Sequence, residues 1–568
     1  MTAAEPGPAW TEDAVDAAGG LDLLLTDAAL GITRRLRPDS SLLRLAASLA
    51  RHPGLVSREA TRLGTELAQI AAGRSAIAPS PRDRRFFDPA WTGNPLLRRS
   101  VQAYVAAARS AEALVAGAEL SWRDDTRLKF LLANLIAAAA PSNNPVLSPA
   151  AWKALIDTGG QSAVRGLQAF ATDLAAPPRV PSMVPAEAFE VGKDLGVTPG
   201  AVVHSTQQFE LIQYQPATED VYEYPLLIVP PMINKFYVLD LAPGRSLIEF
   251  LVSQGHQVFV MSWRNPDARH RDWDLDTYGG AIVAALDAAR AITGAAKASL
   301  CALCSGGIAA TMVAAHLSVA GRLGELASLC LGVTVLDQEQ AGTAGAIIDE
   351  KTAAAATAAS AARGYLDGRT LAEVFAWLRP DDLIWNYWVN NYLEGRPPPA
   401  FDILYWNADT TRLPAALHRD FIGLALANAL TEPGRASMLG SPVDLSKVDV
   451  DAYVIAGVAD HLCPWQSCYR TTQLLGGSVK FVLSTSGHVA SLVNPADNRK
   501  AAFRTAPSNP ASPDEFMAAA HMEPGSWWVD YSSWLGERSG AQKKSPRQLG
   551  RKGHPVQCAA PGTYVHDR

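Results

Sequence analysis

Three residues in the C-terminal half have the types and the order of a nucleophile, an acid and a base. Cys304 lies in "CALCSGG", residues 301–307, where an apolar run meets a turn of small residues. Asp460 follows the apolar run of "AYVIAGVADHLCPW", and His488 follows that of "KFVLSTSGHVASLVNP". A nucleophile on a tight strand–turn–helix takes a strained backbone conformation, so the residues two before and two after it must be small. Here they are Ala302 and Gly306, with Gly307 next. Glycine is usual at the first position, and Ala302 is the smallest departure from it. "GIAATMVAAHLSVAG" reads as the helix after the turn, and its N-terminus favours a thiolate at Cys304. The Ser305 backbone N–H is placed as one oxyanion donor. These groups suit acyl transfer, in which a thiolate attacks a carbonyl and His488 moves the protons. His461 is a rival base on the wrong strand and takes a supporting role. Asp337, after the strand that follows the elbow, is the rival acid. Cys301 and Cys330 read as buried structural cysteines.

Short apolar runs must position these residues. From about residue 206 they alternate with helical segments: "PLLIVPP", "QVFVMSW", "ASLCAL", "SLCLGVTVLD", "AYVIAG" and "KFVLSTS". Continuously apolar runs are expected of parallel strands buried on both faces. The order nucleophile, acid, base along them is that of the α/β-hydrolase fold, a mostly parallel sheet flanked by helices. The catalytic domain is therefore read as 206–568. Within it, 338–447 lacks a clear strand and reads as a lid or cap insertion. Its tryptophans Trp377, Trp385, Trp388 and Trp406 have four candidate roles: a cover over the site, a lining for the product path, a dimer contact, or the insertion's own core. "SWRNPD" is either a structural turn or an edge of the substrate entrance. Residues 1–205 read as a mainly helical N-terminal domain. "SREATRLGTELAQIAAGRS" places Leu63, Leu67 and Ile70 on one helical face from Ser57 to near Gly73. Residues 540–568, rich in Lys, Arg, Pro and Gly, read as an extended, solvated tail.

Composition narrows the classes. The chain has 568 residues, 48% hydrophobic and 19% charged, with net charge −6. That balance describes a globular protein and argues against nucleic acid as a partner. Six cysteines over this length make no disulfide framework, which fits a reduced, cytosolic compartment. The acidic N-terminus predicts no signal peptide, and no apolar run is long enough to span a membrane. No Walker-type loop or GxGxxG follows a strand, so neither metal nor cofactor is expected.

Several long stretches carry a family resemblance: "PLLIVPPMINKFYVLDL", "SWRNPD", "LCSGG", "DLIWNYWVNNYL", "FDILYWNADTTRLPAALH", "GVADHLCPW", "SGHVASLVNP" and "SWWVDYSSWL". From "DRRFFDPAW" to "PGTYVHDR" the chain resembles the polyhydroxyalkanoate synthases, single-subunit type, which polymerise storage polyester. The "GTYVHDR" ending and the "VNNYLEG" to "LPAALH" block look more like the medium-chain class. The family's box is Gly-x-Cys-x-Gly-Gly, and Ala302 departs from it. The resemblance implies that Cys304 carries the acyl group, His488 is its base and Asp460 the third member. Asp460 then either orients His488 or helps activate the incoming 3-hydroxyl. It also implies a second oxyanion donor in "PPMINKFY", at the backbone of Ile233. The implied substrate is (R)-3-hydroxyacyl-CoA. The implied partners are the polyester chain, the granule surface in the cytoplasm and a second copy of the chain in a homodimer. Thr334 and Ala490 are expected near the acyl pocket. A cysteine-dependent acyl-CoA thioesterase of the same fold is the alternative. A non-catalytic granule-surface protein is a third reading, and the intact Cys/Asp/His set argues against it.

Overall fold

The computed structural model describes residues 40–175, 177–338, 350–460 and 462–568. The N-terminal stretch read for a signal peptide and His461 lie outside them. Two compact units form. One holds Ala186–Gly368 and Phe401–Arg568; the other holds the described residues of Leu30–Pro185 with Arg369–Ala400.

The first unit is built on one eleven-stranded sheet. Its strands are β1 (Gly200–Ser205), β2 (Phe209–Tyr214), β3 (Leu226–Val229), β4 (Val258–Trp263), β5 (Ala298–Leu303), β6 (Leu326–Gly332), β7 (Ala452–Gly457), β8 (Val479–Ser484), β9 (Ala502–Thr505), β10 (His521–Pro524) and β11 (Cys558–Ala559). The order across the sheet is β10-β9-β8-β7-β6-β5-β3-β4-β2-β1-β11. The stretch from β8 to β4 is parallel throughout. These six strands are the six apolar runs of the sequence. Every residue of β3, β4, β5 and β7 is buried, because helices cover both faces. The C-terminal ends of β5, β7 and β8 lead directly into Cys304, the Asp460 turn and the His488 turn. This is the α/β-hydrolase fold, with a helical N-terminal region.

The flanking strands are antiparallel. β1 begins at Gly200, six residues before the domain boundary read from the sequence. The β1–β2 hairpin hides from a search for apolar runs because β2 carries Glu210 and Gln213, both buried. Residues far along the chain satisfy them. Glu210 accepts the N–H groups of Thr563 at 2.8 Å and Tyr564 at 3.0 Å, and Gln213 accepts that of Gly550 at 2.7 Å.

The C-terminal tail is therefore docked rather than solvated. β11 extends the sheet beside β1, and Gln542–Lys544 pairs with Asp220–Tyr222. Lys543 Nζ donates to Thr293 O, and Arg551 to Ala291 O. "SWRNPD" helps hold the end of the chain: the Arg264 guanidinium lies 3.9 Å over the Tyr564 ring, and Asn265 donates to Asp567 O.

The second unit contains the helices Ser40–Arg51, Pro53–Ala71, Pro95–Ala116, Trp122–Ala138, Pro149–Asp157 and Gln161–Ala175. The Ser57–Gly73 helix of the sequence reading starts earlier, because Pro53 suits the first helical position. It ends as expected, with Gly73 at φ 70°. Side chains of Asn94, Ser121 and Ser148 cap three of the others. Among the described residues no helix is long and apolar enough to cross a membrane.

The aromatic insertion divides between the units. Trp377 and Trp385 pack on a core of Val180, Ala376 and Ile384. Trp388 stacks edge-on with Phe170 and Tyr392 and donates to Asn143 O. These three tryptophans belong to the helical unit's own core. Trp406 belongs to the sheet unit.

Candidate active site

Cys304 forms the corner between β5 and the helix Ser305–Val319, with φ 51° and ψ −121°. A non-glycine residue there is strained, and the surrounding hydrogen bonds over-determine it. Cys304 N–H donates to Gly332 O at 2.9 Å, Ile308 N–H donates to Cys304 O, and Met232 N–H donates to Ser305 Oγ at 3.0 Å. The turn can pack this tightly only with glycine at 306. A Cβ there would stand 2.6 Å from Pro230 O and 2.8 Å from Val229 O. Ala302 is fully buried between its register partners Val229 and Leu331, so its methyl group is absorbed into the sheet.

Asp460 and His488 come from the neighbouring turns. His488 Nδ1–H donates to Asp460 Oδ2 at 2.7 Å. Asp460 Oδ1 accepts the N–H groups of Leu462 at 2.8 Å and Cys463 at 2.9 Å, which fixes the carboxylate. The Asp460 side chain is fully buried and that of His488 is 12% exposed. His488 and Cys304 also act on each other's ionisation, each favouring the other's charged form. Asp460 and His488 thus form a hydrogen-bonded pair whose charge bears on Cys304. The rival Asp337 is engaged elsewhere, with Asn428 at 2.9 Å and Arg470 at 3.3 Å.

The electrostatics follow from these contacts. Cys463 is the largest influence on Cys304; it and His488 draw the Cys304 thiol well below its ordinary value, against burial. Burial alone would lower His488. The Asp460 carboxylate and then Cys304 overcome it and raise His488 well above an ordinary imidazole. Cys463 moves upward, through the influence of Cys304 and through burial, and stays a thiol. The favoured state is a thiolate beside an imidazolium, the form in which a cysteine is most reactive.

The other residues singled out from the sequence are placed as follows. Ser305, fully buried, is the first residue of the elbow helix. Ile233, also buried, lies in the turn after β3, next to the Met232 amide held by Ser305, and its carbonyl accepts Thr411 N–H. Thr334 is fully buried, donates to Gly332 O at 2.9 Å and packs on Gly307. Ala490 is half-buried in the helical turn His488–Leu492.

Three supports escape a reading of the sequence. Trp406 Nε1–H donates to Lys235 O at 2.7 Å, pinning the turn that contains Ile233. Trp527 and Trp528 donate to Ser491 O and Leu492 O, pinning the turn that starts at His488. Cys463 bears on the ionisation of Cys304. Only this last had a local signal: an Asp whose carboxylate closes a turn brings the residue three places on back beside it.

Comparison with known proteins agrees with this architecture. Residues 82–251 match the family described as "Poly-beta-hydroxybutyrate polymerase (PhaC) N-terminus". Residues 225–495 match "alpha/beta hydrolase fold". The chain is 45% identical to "Poly(3-hydroxyalkanoate) polymerase 1" of Ectopseudomonas oleovorans, over 95% of this chain and 96% of that one. It is 43% identical to "Poly(3-hydroxyalkanoate) polymerase 2" of the same organism, over 93% of this chain and 94% of the other. To "Poly(3-hydroxyalkanoate) polymerase subunit PhaC" of Cupriavidus necator it is 38% identical, over 87% of this chain and 85% of that one. By this near full-length identity, the chain belongs to the poly(3-hydroxyalkanoate) polymerases, a family of enzymes.

Proposed function

We propose that this enzyme transfers (R)-3-hydroxyacyl groups from CoA to a growing polyester through an acyl-Cys304 intermediate. The observation that carries the reading is Cys304 at a strained elbow with the His488–Asp460 pair acting on it, in a member of a polymerase family. The Cys304 thiolate attacks the thioester carbonyl. The N–H groups of Ser305 and Ile233 receive the developing oxyanion. The C–S bond to CoA breaks, and CoA leaves with a proton from the His488 imidazolium. His488 then takes the proton of the incoming 3-hydroxyl, whose oxygen attacks the acyl-cysteine. A new oxygen ester forms and the Cys304 thiolate returns. Asp460 holds the His488 tautomer.

The chemistry explains a cysteine at this corner. Thioester for thioester is nearly neutral in energy, so the acyl group stays activated for the next transfer. A serine would trap it as an oxygen ester. Water must be excluded, because hydrolysis of the same intermediate is thioesterase activity. We place Thr334 and Ala490 beside the acyl chain, assign a medium-length side chain to the monomer, and place the enzyme as a homodimer at the polyester granule surface. No resident metal or cofactor enters this scheme.

The test is to supply purified enzyme with short- and medium-chain (R)-3-hydroxyacyl-CoAs and to follow CoA and polymer together. CoA release with stoichiometric polyester is expected. CoA release with only free acid would show a thioesterase. No release from any chain length would leave a binding role.

A further inference from the structure

Lys235 lies two residues past Ile233, in the turn after β3, and its side chain takes no part in the transfer described above. That side chain is nevertheless turned inward, and the residue is 3% exposed. Its ammonium donates to Asp567 O at 2.7 Å and to Tyr564 O at 3.3 Å, both in the docked tail. A buried cation depends on such partners, because losing one leaves charge with neither water nor an acceptor. The tail is thereby tied to the turn assigned the second oxyanion donor.

The tie closes into a ring of hydrogen bonds. Asp567 O also accepts Asn265 Nδ2–H at 3.3 Å, and Asn265 Oδ1 accepts the N–H of Arg412 at 2.9 Å. The neighbouring Thr411 donates from its N–H to Ile233 O at 3.4 Å and from Oγ1 to Met232 O at 3.0 Å. From Ile233 the ring therefore runs through Thr411, Asn265 and Asp567 to Lys235, and back along the chain to Ile233. An oxyanion donor works by being held in place before charge develops. A shift of about 1 Å in such a group costs on the order of 10²-fold in rate.

We propose that Lys235 is a positioning residue for acyl transfer: held by the carbonyls of Tyr564 and Asp567, it fixes the Ile233 amide where the oxyanion of the attacked thioester forms. Lys235 itself touches no substrate. The inference rests on the acyl-Cys304 reading above, with Ile233 as an oxyanion donor. It makes the docked tail a determinant of the acylation rate as well as of stability.

Two reactions of Cys304 separate positioning from plain stability. Acylation by (R)-3-hydroxyacyl-CoA passes through an oxyanion; alkylation by iodoacetamide displaces iodide at a saturated carbon and forms none. Two variants break the tie from opposite sides. Lys235→Met keeps the side chain's length and removes the ammonium, whereas removing residues 564–568 keeps Lys235 and takes away both acceptors. Each should slow single-turnover acylation on the order of 10²-fold, with kcat lowered and KM little changed, while alkylation keeps its wild-type rate. Equal loss of acylation and alkylation in both variants would make Lys235 a structural residue only and overturns the proposal. Unchanged acylation overturns it too, as does a raised KM with kcat intact, the mark of a substrate contact. A wild type that is alkylated at Cys304 but never acylated there overturns the acyl-Cys304 reading, and this role with it.

Discussion

Cys304 combines a strained backbone, a buried thiol and two neighbours that shift its ionisation, and each has a measurable consequence. Its thiol is drawn below the ordinary value of 9.0, first by Cys463 and also by His488. A depressed thiol value means that thiolate persists as pH falls, and a raised His488 means that imidazolium persists as pH rises. The rate of Cys304 alkylation by iodoacetamide should therefore stay nearly level across the neutral range. Cys463→Ala removes the largest influence, so the alkylation profile should move to higher pH. Asp460→Asn removes the charge that raises His488 and the acceptor that fixes its tautomer. It should cut polymerisation on the order of 10⁴-fold, by comparison with other carboxylate–histidine pairs, with the fold kept by circular dichroism. The candidates Cys304, Asp460 and His488 could be picked out in the sequence, because each follows an apolar run and the three occur in a fixed order. Cys463 was passed over because its role depends on the side-chain geometry of the Asp460 turn, not on any run or spacing along the strands.

At the scale of elements, the elbow depends on helix, strand and turn approaching more closely than a side chain allows. A Cβ on Gly307 would stand 2.0 Å from Thr334 Oγ1, just beyond β6. Gly307→Ala should cost about 1–3 kcal/mol in stability, the usual range for overpacking. Adding Thr334→Ala should recover part of that loss, and chemical denaturation of the two singles and the double measures the coupling. Additive losses would mean that Thr334 is not the element pressing on the elbow. The six parallel strands could be read from continuous apolar runs, since burial on both faces leaves that mark. The hairpin of β1 and β2 could not, because Glu210 and Gln213 look like surface residues until the tail that satisfies them is in place.

For the whole molecule, the same long-range contacts decide what is core. Removing residues 557–568 would strip Glu210, 4% exposed, of the amides that bind it. Leaving a buried carboxylate unsatisfied costs roughly 1–3 kcal/mol or more, so the truncated enzyme should melt at lower temperature; an unchanged Tm would contradict a docked tail. Lys543 and Arg551 sit on carbonyls of Thr293 and Ala291, both in the last turn of the helix Leu275–Thr293. Their partners lie some 250 residues away in sequence, beyond the reach of any local pattern. The tryptophans of the insertion teach the same lesson, since three of them build the helical unit and Trp406 braces the turn at Ile233.

The central claim is that a growing acyl group is held on Cys304 as a thioester. Enzyme mixed rapidly with (R)-3-hydroxyacyl-CoA, quenched in acid and digested, should yield the peptide containing Cys304 with a hydroxyacyl mass increment that neutral hydroxylamine removes. The increment should be absent from Cys304→Ala and should accumulate in His488→Ala if any acylation survives there. An increment on Cys463 or another residue, or turnover to polymer with Cys304 never acylated, would contradict the account.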